Sequence, residues 1–211
     1  FKTLPQTIQD HTSTTQTLYK DIISMARRGS SRIQMRVKEI ADAVKGGSSP
    51  PQFAACHLGK IVDSVIEALR LYAEERDITL QTRGLDGLPI LQADEQRLFN
   101  ALYNLVNNAI PEVPSGGSVT ITGSLSPNAK EIILSIEDTG RGMAPDVLSS
   151  LFTYHVVSRK PGGTGLGTKI VKDVVDAHGG TIQVKSVEGR GTTFTLCFPR
   201  EGPAAEAVAL N

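Results

Sequence analysis

The sequence predicts an α+β fold: a two-layer α/β sandwich, a mixed sheet covered by helices on one face, preceded by a helical segment. Three observations predict it. From about residue 78 to residue 200, short β-like runs alternate with helical patterns, which fits a mixed layer and not an all-helical bundle. Between Leu18 and Val44 apolar residues recur at helical spacing, at Leu18, Ile22, Met25, Ile33, Val37, Ile40 and Val44. The breaker cluster Gly46, Gly47, Ser48, Ser49, Pro50 and Pro51 separates the two regions.

The stripe from Leu18 averages close to a coiled-coil or bundle seam, interrupted at Gly29, Ser30 and Ser31, where one helix runs through or a hairpin turns. Residues 1–46 are therefore expected to form a helical, dimerisation-type segment, and residues 47–57 a linker. A second stripe, Leu58, Ile61, Val62, Val65, Leu69 and Tyr72, opens the folded domain at 58–200 as an amphipathic helix ending near Glu75 to Asp77. Strands are expected at 78–81, 119–124, 132–137, 181–185 and 193–198, and helices at 95–110 and 165–177. Asp94 is placed to N-cap the first of these helices, and Gly179 and Gly180 to stop the second. The Ala-rich stretch 201–211 reads as a mobile tail.

Composition narrows the function classes. The 22 basic and 22 acidic side chains cancel, so no net field attracts nucleic acid or a membrane surface. Cys56 and Cys197 fall in no metal-binding spacing and read as reduced thiols. No apolar run reaches the ~18 to 20 residues of a membrane span. A soluble, cytoplasmic segment without membrane contact is expected, and Phe1 in place of an initiator Met suggests a piece of a larger protein.

Three patterns carry chemistry. Asn104 and Asn108 project from one helical face, and a carboxamide oxygen is a hard ligand suited to Mg²⁺ beside phosphates; an ordinary polar helix face is the alternative. The apolar run 132–136 delivers Asp138 to a strand end, where Gly140 and Gly142 clear side chains from the adjoining turn. A base fits there with its amine donating to Asp138, although Asp-Gly also makes plain turns. Finally, Gly162, Gly163, Thr164, Gly165, Leu166 and Gly167 open a helix. Thr168 then Lys169 is the wrong order for a P-loop, and a dinucleotide fingerprint would follow a strand, not the loop 158–161. What survives is a helix N-terminus whose Gly-freed amides face phosphate oxygens.

Taken together these residues resemble the catalytic domain of sensor histidine kinases, in the superfamily that also holds gyrase, heat-shock chaperone and mismatch-repair ATPases. The resemblance covers Asn104 to Ala109 as the N box, Asp138 to Met143 as the first glycine box, Leu151 and Phe152 as the F box, and Gly163 to Gly167 as the second glycine box. It extends to Ala93–Leu98, His178-Gly179-Gly180 and Gly189–Thr195, pieces characteristic of the kinase branch. It implies that Asp138 bonds the adenine amine of ATP, that Asn108 ligates Mg²⁺, and that Asn104 supports the phosphates. Gly140, Gly142, Gly163, Thr164, Gly165, Leu166 and Gly167 would shape the pocket. Members that hydrolyse ATP carry Glu at the place of Asn104, and a neutral amide is no general base for water, so phosphoryl transfer is favoured. Arg159 and Lys160 fall in the expected lid, where a cation can neutralise γ-phosphate charge; a solvated charge pair is the alternative. One departure is Ile110-Pro111-Glu112-Val113-Pro114, where Lys and an aromatic residue are common, and Glu112 is awkward beside phosphates.

The resemblance also implies a phospho-accepting His on a dimerising helix hairpin, followed by an acid and, five places on, usually Pro. His11 is the only candidate by position, but Thr12 and Gln16 stand where the acid and Pro are expected. His178 belongs to the structural His-Gly-Gly, His155 lies near the lid, and His57 starts the helix into the domain. The leading expectation is an ATP-dependent protein histidine kinase of two-component signalling, homodimeric through its helical segment, with an Asp-bearing response regulator as recipient. The alternative is a scaffold that binds nucleotide without transferring phosphate. A Ser/Thr kinase of the anti-sigma type fits the helical prefix and His-Gly-Gly less well.

Overall fold

The structure, a computed structural model, describes residues 50–152 and 167–203. His11, Arg159, Lys160, Gly163, Thr164, Gly165 and Leu166 lie outside the described residues, as do His155 and the Leu18–Val44 stripe. The expected α+β architecture is present: β1 (Ala54–Cys56), α1 (Leu58–Glu74), β2 (Thr79–Arg83), β3 (Leu91–Ala93), α2 (Glu95–Ala109), a 3-10 turn (Ile110–Glu112), β4 (Ser118–Leu125), β5 (Glu131–Asp138), α3 (Pro145–Ser150), α4 (Gly167–Ala177), β6 (Thr181–Val187) and β7 (Gly191–Pro199).

Five strands form one mixed sheet in the order β2-β4-β5-β7-β6, parallel only between β2 and β4. Alternation along the strands gives the sheet one apolar face. Val119 and Ile121 of β4, Ile132, Leu134 and Ile136 of β5, and Leu196 and Phe198 of β7 are all buried. Registers keep these residues in phase, with Ile121 opposite Ile136, Leu134 opposite Leu196, and Ile132 opposite Phe198. The other face carries Thr120, Thr122, Ser135, Glu137, Thr193 and Thr195, polar side chains suited to solvent.

The helices supply the second layer. In α1 the buried stripe is Leu58, Ile61, Val62, Val65, Leu69 and Ala73, so Ala73 takes the place expected of Tyr72. The helix stops where Asp77 turns to a positive φ of 58° and Ile78 N–H returns to the Ala73 carbonyl at 2.9 Å. Asp94 caps α2, its carboxylate accepting from Arg97 N–H, and α2 packs against both α1 and α4. Gly179, at φ 66°, ends α4 as expected.

β1, β3, α3 and the 3-10 turn were not anticipated. β1 lies inside the stretch read as linker and pairs antiparallel with β3, Ala54 opposite Ala93. Pro145, at the first turn of α3, starts a helix of six residues after the first glycine turn. Both cysteines are free thiols, Cys56 buried with its Sγ 3.4 Å from the Leu91 carbonyl oxygen and Cys197 half-buried. Among the described residues no helix is long and apolar enough to cross a membrane.

Candidate functional site

The apolar face of the sheet changes character at one end. One row in, Ile136, Phe194 and Val184 lie across β5, β7 and β6; the next row is Asp138, Thr192 and Ser186. Three polar side chains at consecutive strand positions on a core face are expensive unless they are hydrogen-bonded. Here they are. Asp138 Oδ1 accepts from Gly140 N–H at 2.9 Å and from Thr192 N–H at 3.3 Å. The Ser186 and Thr192 hydroxyls lie 3.0 Å apart, and Ser186 Oγ accepts from Met143 N–H at 2.8 Å. Asp138 is 7% exposed, and burial, opposed by those two N–H groups and reinforced by the Glu112 and Glu137 charges, raises its carboxyl above the ordinary carboxylate value.

The glycines beside this row have steric reasons. A Cβ on Gly140 would sit 2.7 Å from Asp138 Oδ1 and 2.8 Å from the Glu112 carbonyl oxygen. Gly142 has φ 67°, and its Cβ would lie 2.1 Å from the Val187 carbonyl oxygen. Gly191, at φ 105°, would place a Cβ 2.0 Å from the Asp138 carbonyl oxygen. Backbone therefore touches backbone at the end of β5, leaving the ground beside Asp138 free of side chains. Gly191, Thr192 and Ser186 were not singled out as site residues. The run Gly189–Thr195 marks the first two in the sequence, whereas only the β6–β7 register identifies Ser186.

The second wall comes from α2 and α4. Gly167 opens α4, and a Cβ there would be 3.5 Å from both Asn104 Oδ1 and Asn108 Nδ2. The two carboxamides expected to share a helical face do so, and that face meets the start of α4. Thr168 Oγ1 donates to the carbonyl of buried Leu151, tying the F-box segment to the first turn of α4. Lys169, the lysine misplaced for a P-loop, pairs with Asp173 one turn on. Among the described residues no group of three His, Cys, Asp or Glu side chains gathers around a point.

Glu112 is less awkward than its charge suggests. Its Oε2 lies 2.5 Å from Arg141 Nε, and its carbonyl accepts from Arg141 N–H at 3.0 Å. Arg141 passes the contact on, its own carbonyl accepting from Gly189 N–H at 2.8 Å. The 3-10 turn after α2, the glycine turn after β5 and the β6–β7 hairpin are thereby joined.

Comparison with known proteins agrees with this geometry. Residues 93–202 match the family described as histidine kinase-, DNA gyrase B-, and HSP90-like ATPase. Sensor histidine kinase ZraS of Escherichia coli (strain K12) is 38% identical over 170 residues, which are 80% of this chain and 35% of ZraS. The chain thus spans about a third of that curated relative. A crystal structure of full-length ShkA in complex with AMPPNP superposes with a TM-score of 0.70 at 26% identity, over 88% of this chain and 40% of ShkA. The histidine kinase ThkA, solved in complex with the response regulator protein TrrA, shares the fold with a TM-score of 0.65 at 22% identity, over 94% of this chain and 53% of ThkA. With Asn104 and Asn108 facing Gly167 and the family model spanning these residues and Asp138, the chain belongs to the histidine kinase-, DNA gyrase B- and HSP90-like ATPase family, with sensor histidine kinases among its relatives.

Proposed function

We propose that this chain is the ATP-binding, phosphoryl-donating part of a sensor histidine kinase. The observation that carries the reading is the presence, in one family-matched domain, of two unlike clusters. One is a sheet-borne carboxylate, Asp138, held by backbone N–H groups; the other is the helix-borne pair Asn104 and Asn108 facing Gly167 at the start of α4. Asp138 suits the amine of a purine, and the carboxamides and the helix start suit a metal-bound phosphate chain. Mg²⁺, when bound, would neutralise phosphate charge during transfer, with Asn108 as its protein ligand. Gly140 and Gly142 would keep the base against the backbone, and the run Gly163, Thr164, Gly165 and Leu166, outside the described residues, is proposed from the sequence to bind phosphate. Arg159 and Lys160 are proposed to neutralise the γ-phosphate.

In the whole protein the acceptor is a His that this chain does not clearly supply. His11 is the candidate by position within the chain, with Thr12 where a carboxylate is expected. An Asp-bearing response regulator is the proposed recipient, as ThkA pairs with TrrA. A homodimer through residues 1–46 and a cytoplasmic place complete the proposal. The missing acceptor pattern favours a second reading, a scaffold that binds nucleotide without transfer.

Incubation with γ-labelled ATP and Mg²⁺, with calorimetry of Mg-AMPPNP binding, tests both. Acid-labile, base-stable label on the chain, or on an added His-bearing helical hairpin of a relative, supports the kinase. Binding without label on either supports the scaffold. No binding at all refutes both.

A further inference from the structure

Hydrogen bonds converging on Asp94 and His178 join stretches of chain 42 and 84 residues apart. Asp94 N–H donates to His178 Nε2 at 3.0 Å, and the His178 Nδ1 side faces the Val174 carbonyl oxygen at 2.7 Å. Both contacts are satisfied only by a neutral ring with its proton on Nδ1. Asp94 Oδ1 caps α2, while Oδ2 accepts from Gln52 N–H at 2.9 Å and lies 3.3 Å from Arg97 Nε. Phe53 meets the His178 ring edge-on, with centroids 5.1 Å apart.

The placement of this cluster is informative. Asp94 stands at the N-terminus of α2 and His178 just past the C-terminus of α4, so the clamp links those two helices at one end. At the other end Gly167 meets Asn104 and Asn108. From Asp94 to Asn104 the helical rise is about 15 Å, and from His178 back to Gly167 about 16.5 Å, at ~1.5 Å per residue. The two spans nearly match. A helix is stiff along its axis, so fixing one end of this pair fixes the other.

We propose that Asp94 and His178 are positioning residues for the phosphate and metal half of the site, setting the axial register of α4 on α2 and hence the gap between Gly167 and the two carboxamides. The inference rests on the nucleotide reading above. It separates the site into halves with different supports: the Asp138–Thr192–Ser186 row is carried by the sheet, which the His178 ring meets at Phe198, six residues along β7 from Thr192. Gln52 and Phe53 also touch the clamp, so the stretch leading into the domain bears on the phosphate half directly.

The test compares Mg-ADP, which needs both halves, with adenosine, which needs only the sheet half, on the full chain. His178→Leu should weaken Mg-ADP about 10-fold, as when the support behind metal ligands is removed, and leave adenosine affinity, read by NMR titration, within about twofold of the parent. His178→Gln, whose carbonyl can accept from Asp94 N–H, should restore most of the loss. His178→Asn, whose amide can still donate to the Val174 carbonyl but falls short of the Asp94 N–H, should act in the same direction and serves if His178→Leu does not fold. Equal weakening of both ligands, or unchanged Mg-ADP affinity in a folded variant, would overturn the proposal. A parent protein that binds neither ligand would instead remove the nucleotide reading on which it stands.

Discussion

Thr192 lies directly opposite Asp138 in the β5–β7 register, and its backbone N–H donates to the Asp138 carboxylate at 3.3 Å. The contact holds Oδ1, which also accepts from Gly140 N–H. A ligand amine would be left the other carboxylate oxygen.

Asp138→Asn should therefore separate binding from stability. A neutral amide loses the charge-assisted contact to an amine, at about 1 to 3 kcal/mol of nucleotide affinity. Its own oxygen still accepts from Gly140 and Thr192. Because burial raises the Asp138 carboxyl, its ionised form works against the folded state at neutral pH, so the variant's thermal midpoint without nucleotide should match or exceed the parent's. Calorimetry and melting together check this; a lower midpoint with unchanged affinity would put Asp138 in a structural role only.

Two glycines at positive φ give a controlled comparison. Gly142→Ala brings a Cβ to 2.1 Å from the Val187 carbonyl oxygen, whereas around Gly189, at φ 77°, nothing lies within 4 Å. Gly189→Ala should cost only the conformational penalty, ~1 to 2 kcal/mol. Gly142→Ala must also push β6 away from the glycine turn and should exceed ~3 kcal/mol, the range of steric disruption. Urea unfolding of the two variants ranks them, and equal losses would contradict the close backbone approach.

Stability should fall as the solution is acidified from pH 7.5 to 5.5. Burial, only partly opposed by the Val174 carbonyl and the Asp94 charge, holds the His178 imidazole below its ordinary 6.5. The unfolded chain then binds the proton first, and the folded state loses ground as pH drops through and below that value. Asp94 adds a second loss at lower pH. Burial pushes its carboxyl up, but the N–H groups of Gln52 and Arg97 outweigh this and hold it below 3.8, so its contribution is present above that value and lost beneath it. A melting series in the parent and His178→Gln checks the first step, which should shrink in the variant. An equal drop in both would assign the proton elsewhere.

Much of the fold was legible because it rests on local period. Alternation placed the five sheet strands within a few residues of their observed bounds, and Asp94 was readable as an N-cap from its place before an apolar stripe. β1 and β3 were not, since three residues each carry too little alternation and each is a strand only through the other. Of the candidate site, the glycines and amides stand in compact runs. Ser186 does not: 48 residues of chain separate it from Asp138, and only the registers through β7 bring it into the row. The Glu112–Arg141 pair was hidden likewise, because charge alone does not show which side chain will answer it.

That row yields the final expectation. Ser186 Oγ receives Met143 N–H and meets the Thr192 hydroxyl, so it pins the end of the first glycine turn to the sheet. Ser186→Ala leaves a half-buried N–H without its side-chain acceptor, a loss of about 1 to 2 kcal/mol in stability. Because Gly142 is the residue before Met143, the turn beside Asp138 should loosen, and nucleotide affinity should drop several-fold with it. Ser186→Thr keeps the oxygen and should recover both. Thr192→Val, by contrast, preserves the N–H to Asp138 while removing the hydroxyl, so its affinity loss should exceed that of Ser186→Ala only if the hydroxyl itself meets the ligand. Calorimetry with Mg-ADP and hydrogen exchange at Gly142 and Met143 distinguish these. Unchanged exchange there in Ser186→Ala would show that backbone contacts alone hold the turn, and would reduce Ser186 to an ordinary strand residue.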